Sequence, residues 1–113
     1  MSAAYDHSHA WSLHVALDRS SGIATLLVRG RIGTAGADDL RAAIKESAAG
    51  GERLLLDLEA VDYLSSAGLA VLQDAARHVQ EEGGSLELAR ASEPVKMALR
   101  LAGTIPHLVI ADR

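Results

Sequence analysis

The sequence predicts an α/β fold, a single small domain built around one mixed, mostly parallel sheet of about five strands. Predicted strands alternate with predicted helices along most of the chain, which is typical of parallel strands joined by crossover helices. The segment Arg53–Leu58, RLLLDL, is almost continuously apolar, as expected for a central strand covered on both faces. A chain of 113 residues has room for one hydrophobic core.

The first two strands are predicted to form a hairpin. Apolar residues alternate with polar or small ones over Trp11–Leu17, which is the pattern of a half-buried strand. The turn Asp18–Gly22 leads into a second apolar segment, Ile23–Val28, and two such segments joined by a turn favour a hairpin. We expect the second strand to end at Gly30 and Gly33.

The first helix is predicted over Ala37–Ala49, with apolar residues on one face and charged residues on the other. Gly50 and Gly51 supply a stop. The apolar face comprises Leu40, Ala43, Ile44 and Ala48. The central strand Arg53–Leu58 follows, and we expect a loop over 59–64 after it.

Three elements complete the domain. A second helix is predicted from Ser66 to Glu82, before Gly83–Gly84, and its apolar stripe comprises Leu69, Leu72, Ala76 and Val79. A short strand is predicted in SLELA, after which Ser92 caps a third helix that ends at Gly103. The inward-facing residues of this helix are predicted to be Val95, Ala98, Leu99 and Ala102, and HLVIA (107–111) is predicted as the last strand.

Composition narrows the classes of function. The net charge is -4, from 15 acidic and 11 basic residues, so no basic field attracts nucleic acid or an anionic membrane. No apolar segment approaches the length of a membrane span, and the first residues lack the pattern of a signal peptide. The absence of cysteine suits a reducing compartment. We therefore expect a cytoplasmic domain with protein partners, no cofactor and no direct membrane insertion. Residues 1–10 are predicted to form a flexible arm before a domain over 11–113.

The start of the second helix holds the most informative side chains, Ser65 and Ser66. A serine at this position can simply cap the helix, because its side-chain oxygen accepts a hydrogen bond from a backbone N–H group. The same hydroxyl can instead lie exposed at the positive end of the helix dipole, where free N–H groups can hold a phosphate. The residues alone leave two interpretations of these serines open. They form a structural helix cap, or they carry a phosphorylation site whose state a partner protein recognises.

These residues belong to a longer stretch, LLLDLEAVDYLSSAGLAVL from Leu54 to Leu72, that resembles the STAS domains, named for sulfate transporters and anti-sigma-factor antagonists. The resemblance covers about residues 11 to 111. It includes VRGRIGTAGADDLRAAI, over Val28–Ile44, and VKMALRLAGTIPHLVIA, over Val95–Ala111. The fold that it implies is a mixed sheet with helices packed mainly on one side, in agreement with the predicted element order.

In the antagonist members, the resemblance implies a cycle of partner switching. The domain binds a serine kinase, a histidine-kinase-like ATPase that also acts as an anti-sigma factor, and so releases a sigma factor. Phosphorylation of a serine at the start of the second helix breaks that binding, and a metal-dependent phosphatase restores it. The implied role is regulatory rather than enzymatic. The surface expected to contact the partner comprises Asp62, Tyr63, Leu64, Gly68, Leu69 and Thr34.

Two positions differ from the best-known antagonist pattern. The tetrapeptide Asp-Ser-Ser-Gly, phosphorylated on its second serine, corresponds here to Ser65-Ser66-Ala67-Gly68, so the usual acceptor position is an alanine without a hydroxyl. Ser66 is therefore the first predicted acceptor and Ser65 the second. Gly33 stands where many antagonists have an acidic residue, which changes the charge beside the predicted phosphorylation site.

Alternative roles come from the same resemblance. The phrase SSAGLA also fits the cytoplasmic STAS subunit of a lipid-transporting ABC transporter, in which the hydroxyl would be structural or would contact the ATPase. A scaffold subunit of a large signalling assembly is a third possibility.

The remaining polar residues suggest structural roles. Asp57 matches an aspartate of the STAS family and is expected to support the site by satisfying loop amides at the end of its strand. The spacing of Gly30, Gly33 and Gly36 fits loop geometry better than a phosphate-binding loop. No metal site is expected from His7, His9 and His14, because no carboxylate or cysteine ligands accompany them.

Overall fold

The computed structural model describes residues 13–20, 22–47, 53–103, 105–106 and 108–110. Within them the elements run β1 (Leu13–Ser20), β2 (Ile23–Ile32), α1 (Thr34–Ser47), β3 (Arg53–Leu64), α2 (Ser66–Glu81), β4 (Ser85–Ala89), α3 (Glu93–Ala102) and β5 (Leu108–Ile110). The predicted arm over 1–10 and the glycine stop at 50–51 lie outside the described residues, as do His107 and Ala111 of the predicted last strand.

The strands form one sheet in the order β1-β2-β3-β4-β5. The hairpin prediction is confirmed, because β1 pairs with β2 in antiparallel register from Leu13↔Gly30 to Ser20↔Ile23. The pairs β2–β3, β3–β4 and β4–β5 are parallel. The predicted mixed and mostly parallel sheet, with its three helices, is therefore confirmed.

The helices cover one face of this sheet. Leu54, Leu56 and Leu58 are fully buried, whereas Leu55 and Asp57 between them are only half-buried. The expectation that Arg53–Leu58 is covered on both faces is therefore wrong. The segment is almost continuously apolar in sequence because Leu55, an apolar residue, occupies the open face. Its partners in the register there are polar, Thr25 on β2 and Glu87 on β4.

The strands β2 and β3 are both longer than the predicted segments Ile23–Val28 and Arg53–Leu58. β2 continues past Val28 to Ile32, and β3 continues through 59–64, where a loop was expected. Two β-bulges explain the difference, since β3 uses one more residue than β2 between Asp57 and Ala60, and again between Val61 and Tyr63. The buried positions of β3 consequently change from a spacing of two to a spacing of three.

The helices also differ in detail from the prediction. α1 begins at Thr34 rather than at Ala37, because β2 ends only one residue before Gly33. In α3, Val95 and Leu99 are buried as predicted, but Ala102 is exposed in the last turn. Ser92 caps α3 as predicted, accepting a hydrogen bond from the Val95 N–H at 3.4 Å.

Candidate functional site

The candidate site lies at the edge of the sheet where β2 and β3 both end. The Ser65 N–H donates to the Ile32 carbonyl oxygen at 2.9 Å, which holds the end of β3 beside the end of β2. α1 begins two residues after Ile32, and α2 begins one residue after Ser65. The parallel pairing of the two strands therefore brings the first turns of two helices to one edge.

The two serines have different environments. Ser65 is the N-cap of α2, with extended backbone angles (φ -85°, ψ 172°), and its Oγ accepts a hydrogen bond from the Gly68 N–H at 3.1 Å. Its carbonyl oxygen accepts the first helical hydrogen bond, from Leu69, at 2.9 Å. Ser66 is the first residue of the helix, and its side chain is exposed. The structure thus gives Ser65 the capping role and leaves the Ser66 hydroxyl at the surface.

The next two residues hold the helix against the sheet. Ala67 is half-buried against the hydrophobic core. Gly68 is buried, and a Cβ atom there would lie 2.6 Å from Leu64 Cδ1 and 2.7 Å from Ile32 Cγ2. A side chain at this position would therefore require Leu64 and Ile32 to shift, so glycine favours the close approach of α2 to β2 and β3. Gly68 thus packs within the protein, whereas the sequence predicted it to lie on the surface that contacts the partner.

The residues predicted to contact a partner fall into two groups. Thr34 and Asp62 are exposed, as is Tyr63, with 41% of its surface accessible. Leu64 and Gly68 are buried, and Leu69 is half-buried against the core. The expected loop over Asp62–Leu64 is the last part of β3, and Thr34 is the first residue of α1 rather than a loop residue. The structure brings all of these residues to the same end of the sheet.

A pair of side chains that the sequence did not reveal lies at the same edge. Arg31 and Tyr63 are partners in the parallel register of β2 and β3, and the Arg31 Cζ atom lies 4.4 Å from the centre of the Tyr63 ring. This is the geometry of a cation–π contact. No local pattern could have indicated it, because the pairing depends on the two bulges that set the register.

The edge is positively polarised. The first turns of α1 and α2, all of whose residues the structure describes, contain no acidic residue. No carboxylate in these turns therefore neutralises the partial positive charge of either helix N-terminus. Arg31 adds a full positive charge, and Asp62 supplies a carboxylate beside it on β3. An acidic group of a partner, or a phosphate on an exposed hydroxyl, would be stabilised at such an edge.

Asp57 occupies the open face of the sheet, within β3 rather than at its end. Its Oδ1 accepts a hydrogen bond from the Glu59 N–H at 3.2 Å, and its Oδ2 accepts from Arg90 Nε and Nη2 at 3.1 and 3.0 Å. The hydrogen bond to Asp57, with the charges of Asp57 and Glu59, raises the pKa of the Arg90 guanidinium. The expected amide hydrogen bond is present, and the Arg90 ion pair adds to it.

A depression of about 420 Å³ lies on this open face and includes Asp57, Arg90 and Leu27 in its lining. None of Thr34, Ser65 or Ser66 lines it. This depression therefore does not coincide with the candidate site, which lies at the edge where β2 and β3 end.

The described part of the chain has no helix with both the length and the apolar character needed to cross a membrane. It also contains no group of three or more His, Asp or Glu side chains placed to hold a metal ion.

Two proteins named as anti-sigma factor antagonists are similar to this chain over most of its length. BtrV of Bordetella bronchiseptica, which is named as an anti-sigma factor antagonist, is 28% identical over 101 residues, covering 88% of this chain and 87% of BtrV. The crystal structure of an anti-sigma factor antagonist from Mycobacterium paratuberculosis superposes with a TM-score of 0.75 at 28% identity, covering 90% of this chain and 89% of that one. These names describe regulatory proteins of bacteria rather than enzymes.

More distant structures share the fold. SpoIIAA in its unphosphorylated form gives a TM-score of 0.69 at 17% identity, covering 86% of this chain and 87% of that one. The STAS domain model matches residues 14–112, which includes every described strand and helix except the first residue of β1. With this match, the sheet order and the serine-capped start of α2, the chain belongs to the STAS domain family.

Proposed function

We propose that this chain is an anti-sigma factor antagonist, which binds a kinase-type anti-sigma factor through the edge where β2 and β3 end. Phosphorylation of Ser66 by the same kinase ends the binding, and a metal-dependent serine phosphatase restores it. The names of the two relatives with 28% identity support the antagonist role. The cycle operates in the cytoplasm, and the chain itself catalyses no reaction.

The observation that carries the choice of acceptor is the contrast between the two serines. The Ser65 Oγ atom is engaged at 3.1 Å by the Gly68 N–H, so a kinase would have to draw this oxygen out of the cap of α2 before it could transfer a phosphate to it. Ser66 is exposed and lies in the first turn, where a phosphate can be held without unfolding the helix. SpoIIAA, a protein of the same fold at 16% identity and a TM-score of 0.64, has also been described in a phosphorylated form.

The effect of phosphate on binding follows from its charge. A phosphoserine adds about -1.5 to -2 charges, which is enough to reverse the charge of an edge where two helix N-termini and Arg31 outweigh Asp62. A partner surface that carries acidic groups toward this edge would be attracted before phosphorylation and repelled after it. The exposed Thr34, Asp62 and Tyr63 supply direct contacts in this proposal, while Leu64, Gly68 and Leu69 hold α2 in place beneath them.

The experiment begins with affinity purification of the tagged chain from its native host, followed by mass spectrometry of the proteins recovered and of the peptide that contains Ser65 and Ser66. We expect a histidine-kinase-like ATPase and a phosphate on Ser66. The purified kinase then gives Kd values for the unmodified chain and for its variants. Ser66→Asp should weaken binding about tenfold or more, and Ser66→Ala should bind like the unmodified chain and accept no phosphate.

Two controls separate the switch from general effects. Ser20 is exposed at the end of β1, on the opposite edge of the sheet, so Ser20→Asp adds the same charge far from the site and should leave the Kd unchanged. Ser65→Ala should lower the free energy of unfolding by about 0.5–2 kcal/mol through loss of the cap, yet remain a substrate of the kinase. Equal Kd values for Ser66→Asp and Ser66→Ala would contradict the switch, and recovery of an ABC permease and ATPase would favour the transporter alternative.

A further inference from the structure

The last part of β3 reaches the candidate site without β4 beside it. In the register of these two strands the final pair is Asp57↔Ala89, whereas β3 continues well past it. This β3 extension (58–64) carries Asp62 and Tyr63 to the edge where the site lies. Buried backbone carbonyl groups need hydrogen-bond partners, so those that β4 leaves open along the extension depend on partners from elsewhere.

The turn between β4 and α3 supplies these partners through Ser92. The Ser92 N–H donates to the Leu58 carbonyl oxygen at 3.2 Å, and the Ser92 Oγ donates to the Val61 carbonyl oxygen at 2.6 Å. The same Oγ accepts from the Val95 N–H as the cap of α3. A hydroxyl group can donate one hydrogen bond while it accepts another. Ser92 therefore joins the first turn of α3 to two carbonyl groups of the β3 extension.

Arg90 holds the same turn from the open face of the sheet. Its backbone φ of 54° lies in the left-handed region, which is strained for a residue other than glycine and persists only where the surroundings hold it. Its Nη2 atom lies 3.0 Å from Asp57 Oδ2 and 2.8 Å from Glu59 Oε1. Both carboxylates belong to β3 at its first bulge, so the guanidinium ties the turn to the start of the β3 extension.

The hydrogen bond from Ser92 acts at the second bulge of β3. Val61 is the last residue in register with β2 before that bulge, and Tyr63 is the first after it. The Val61 carbonyl belongs to the same planar peptide group as the Asp62 N–H, so a bond that holds this carbonyl also orients the backbone of Asp62. The Ser92 Oγ lies 2.6 Å from the Val61 oxygen and 3.4 Å from the Val95 nitrogen, so its closer contact is with β3.

We propose, resting on the function proposed above, that Ser92 and Arg90 are positioning residues for partner binding. They hold the β3 extension beside β2, and with it Asp62 and Tyr63, which contact the partner. A capping role alone would require the contact of Ser92 with α3, but it would require none of the contacts of the two residues with β3. The turn between β4 and α3 thus acts on the binding edge from the side that β4 leaves open.

The first test uses the full chain, labelled with ¹⁵N, without a partner. Ser92→Thr keeps the hydroxyl, whereas Ser92→Asp keeps an oxygen that can cap α3 but, as a carboxylate, has no proton for the Val61 carbonyl. We expect the protected amides of the β3 extension to exchange about tenfold faster or more in Ser92→Asp, and at the unmodified rate in Ser92→Thr. The amides of α3 should stay protected in both. Unchanged exchange in Ser92→Asp would overturn the proposal, because capping would then be the whole role of Ser92.

A second variant with a matched control tests Arg90. Arg90→Gln removes the ion pairs with two carboxylates of β3. Arg53→Gln removes the ion pair with Glu87 at the start of β3, and it changes the net charge by the same amount. The paired side chains are also matched, because Asp57 and Glu87 are each 14% exposed. We expect faster exchange of the β3 extension in Arg90→Gln alone. Equal acceleration by both variants would overturn the proposal, since it would show a general loss of sheet stability.

Binding to the purified kinase tests the positioning role itself. Ser92→Ala and Arg90→Gln should weaken binding about fivefold or more, while Ser92→Thr and Arg53→Gln should bind like the unmodified chain. An unchanged Kd for the first two variants, together with faster exchange, would overturn the positioning role and leave the proposed function standing. Failure of the unmodified chain to bind the kinase would instead contradict the proposed function, while the exchange rates would still decide whether Ser92 and Arg90 hold the β3 extension.

Discussion

Two glycines near the start of α1 differ in whether the surrounding structure has space for a Cβ atom. Gly36 is buried in the first turn of α1, and a Cβ atom there would lie 2.6 Å from the Arg31 carbonyl oxygen. Gly33 precedes the helix, and a Cβ atom there would meet nothing within 4 Å. The two positions therefore differ in the space that they allow, although the sequence presents them as equivalent members of one glycine-rich stretch.

We expect Gly36→Ala to lower the free energy of unfolding by about 1–3 kcal/mol, because a backbone carbonyl cannot move aside as a flexible side chain can. Gly33→Ala should change it by less than about 0.5 kcal/mol. Urea denaturation of both variants, analysed with a common slope, measures the difference. Equal losses at the two positions would show that chain flexibility, rather than the contact with Arg31, sets the requirement for glycine.

At the scale of residues, the sequence predicts those features that depend on near neighbours. Ser65 and Ser92 were predictable at their helix starts, since an N-cap accepts hydrogen bonds from residues two or three positions further on. The cation–π pair of Arg31 with Tyr63 and the ion pair of Arg90 with Asp57 were not predictable. Both join residues that are distant in sequence and adjacent only in the register of the finished sheet.

At the scale of elements, hydrophobic periodicity predicted the order and type of every described strand and helix. The main error is the loop predicted over 59–64, where β3 continues past two bulges. Past Leu58, the buried residues of β3 are Val61 and Leu64, a spacing of three that matches neither a regular strand nor a long helix. The segment therefore reads as a loop in the sequence. The bulges become evident only when β2 is placed beside it, because they are defined by a mismatch between two strands.

Amide hydrogen exchange tests this correction. If 59–64 is part of β3, the amides in it that donate to β2 should exchange slowly, although β4 pairs with β3 only as far as Asp57. Asp62 opposes no residue of β2 in the register, so its amide should exchange faster than its neighbours that donate to β2 and serves as an internal control. Uniformly fast exchange over the whole segment, measured by NMR on the intact chain, would instead indicate a loop.

At the scale of the whole molecule, the fold is asymmetric across its sheet. Two layers, helices and sheet, enclose a core to which β1, β2, β3 and β4 each contribute alternate residues. The outer face of the sheet carries the ion pairs of Arg53 with Glu87 and of Arg90 with Asp57, together with the partly exposed Leu27. Because water already reaches the side chains of the open face, this face is expected to contribute less to stability than the face under the helices.

Adjacent leucines of β2 test that asymmetry. Leu26 is fully buried under the helices, whereas Leu27 points to the open face and is 44% exposed. Leu26→Ala should lower the free energy of unfolding by about 2–5 kcal/mol, a large part of the 5–15 kcal/mol typical of a small domain. Leu27→Ala removes the same atoms from a surface that water already reaches, so its loss should stay below about 1 kcal/mol. Urea denaturation at several protein concentrations measures the change in the free energy of unfolding for both variants. A decrease for Leu27→Ala that equals the decrease for Leu26→Ala, and that grows with protein concentration, would contradict this expectation. It would mean that another copy of the chain covers the open face in solution.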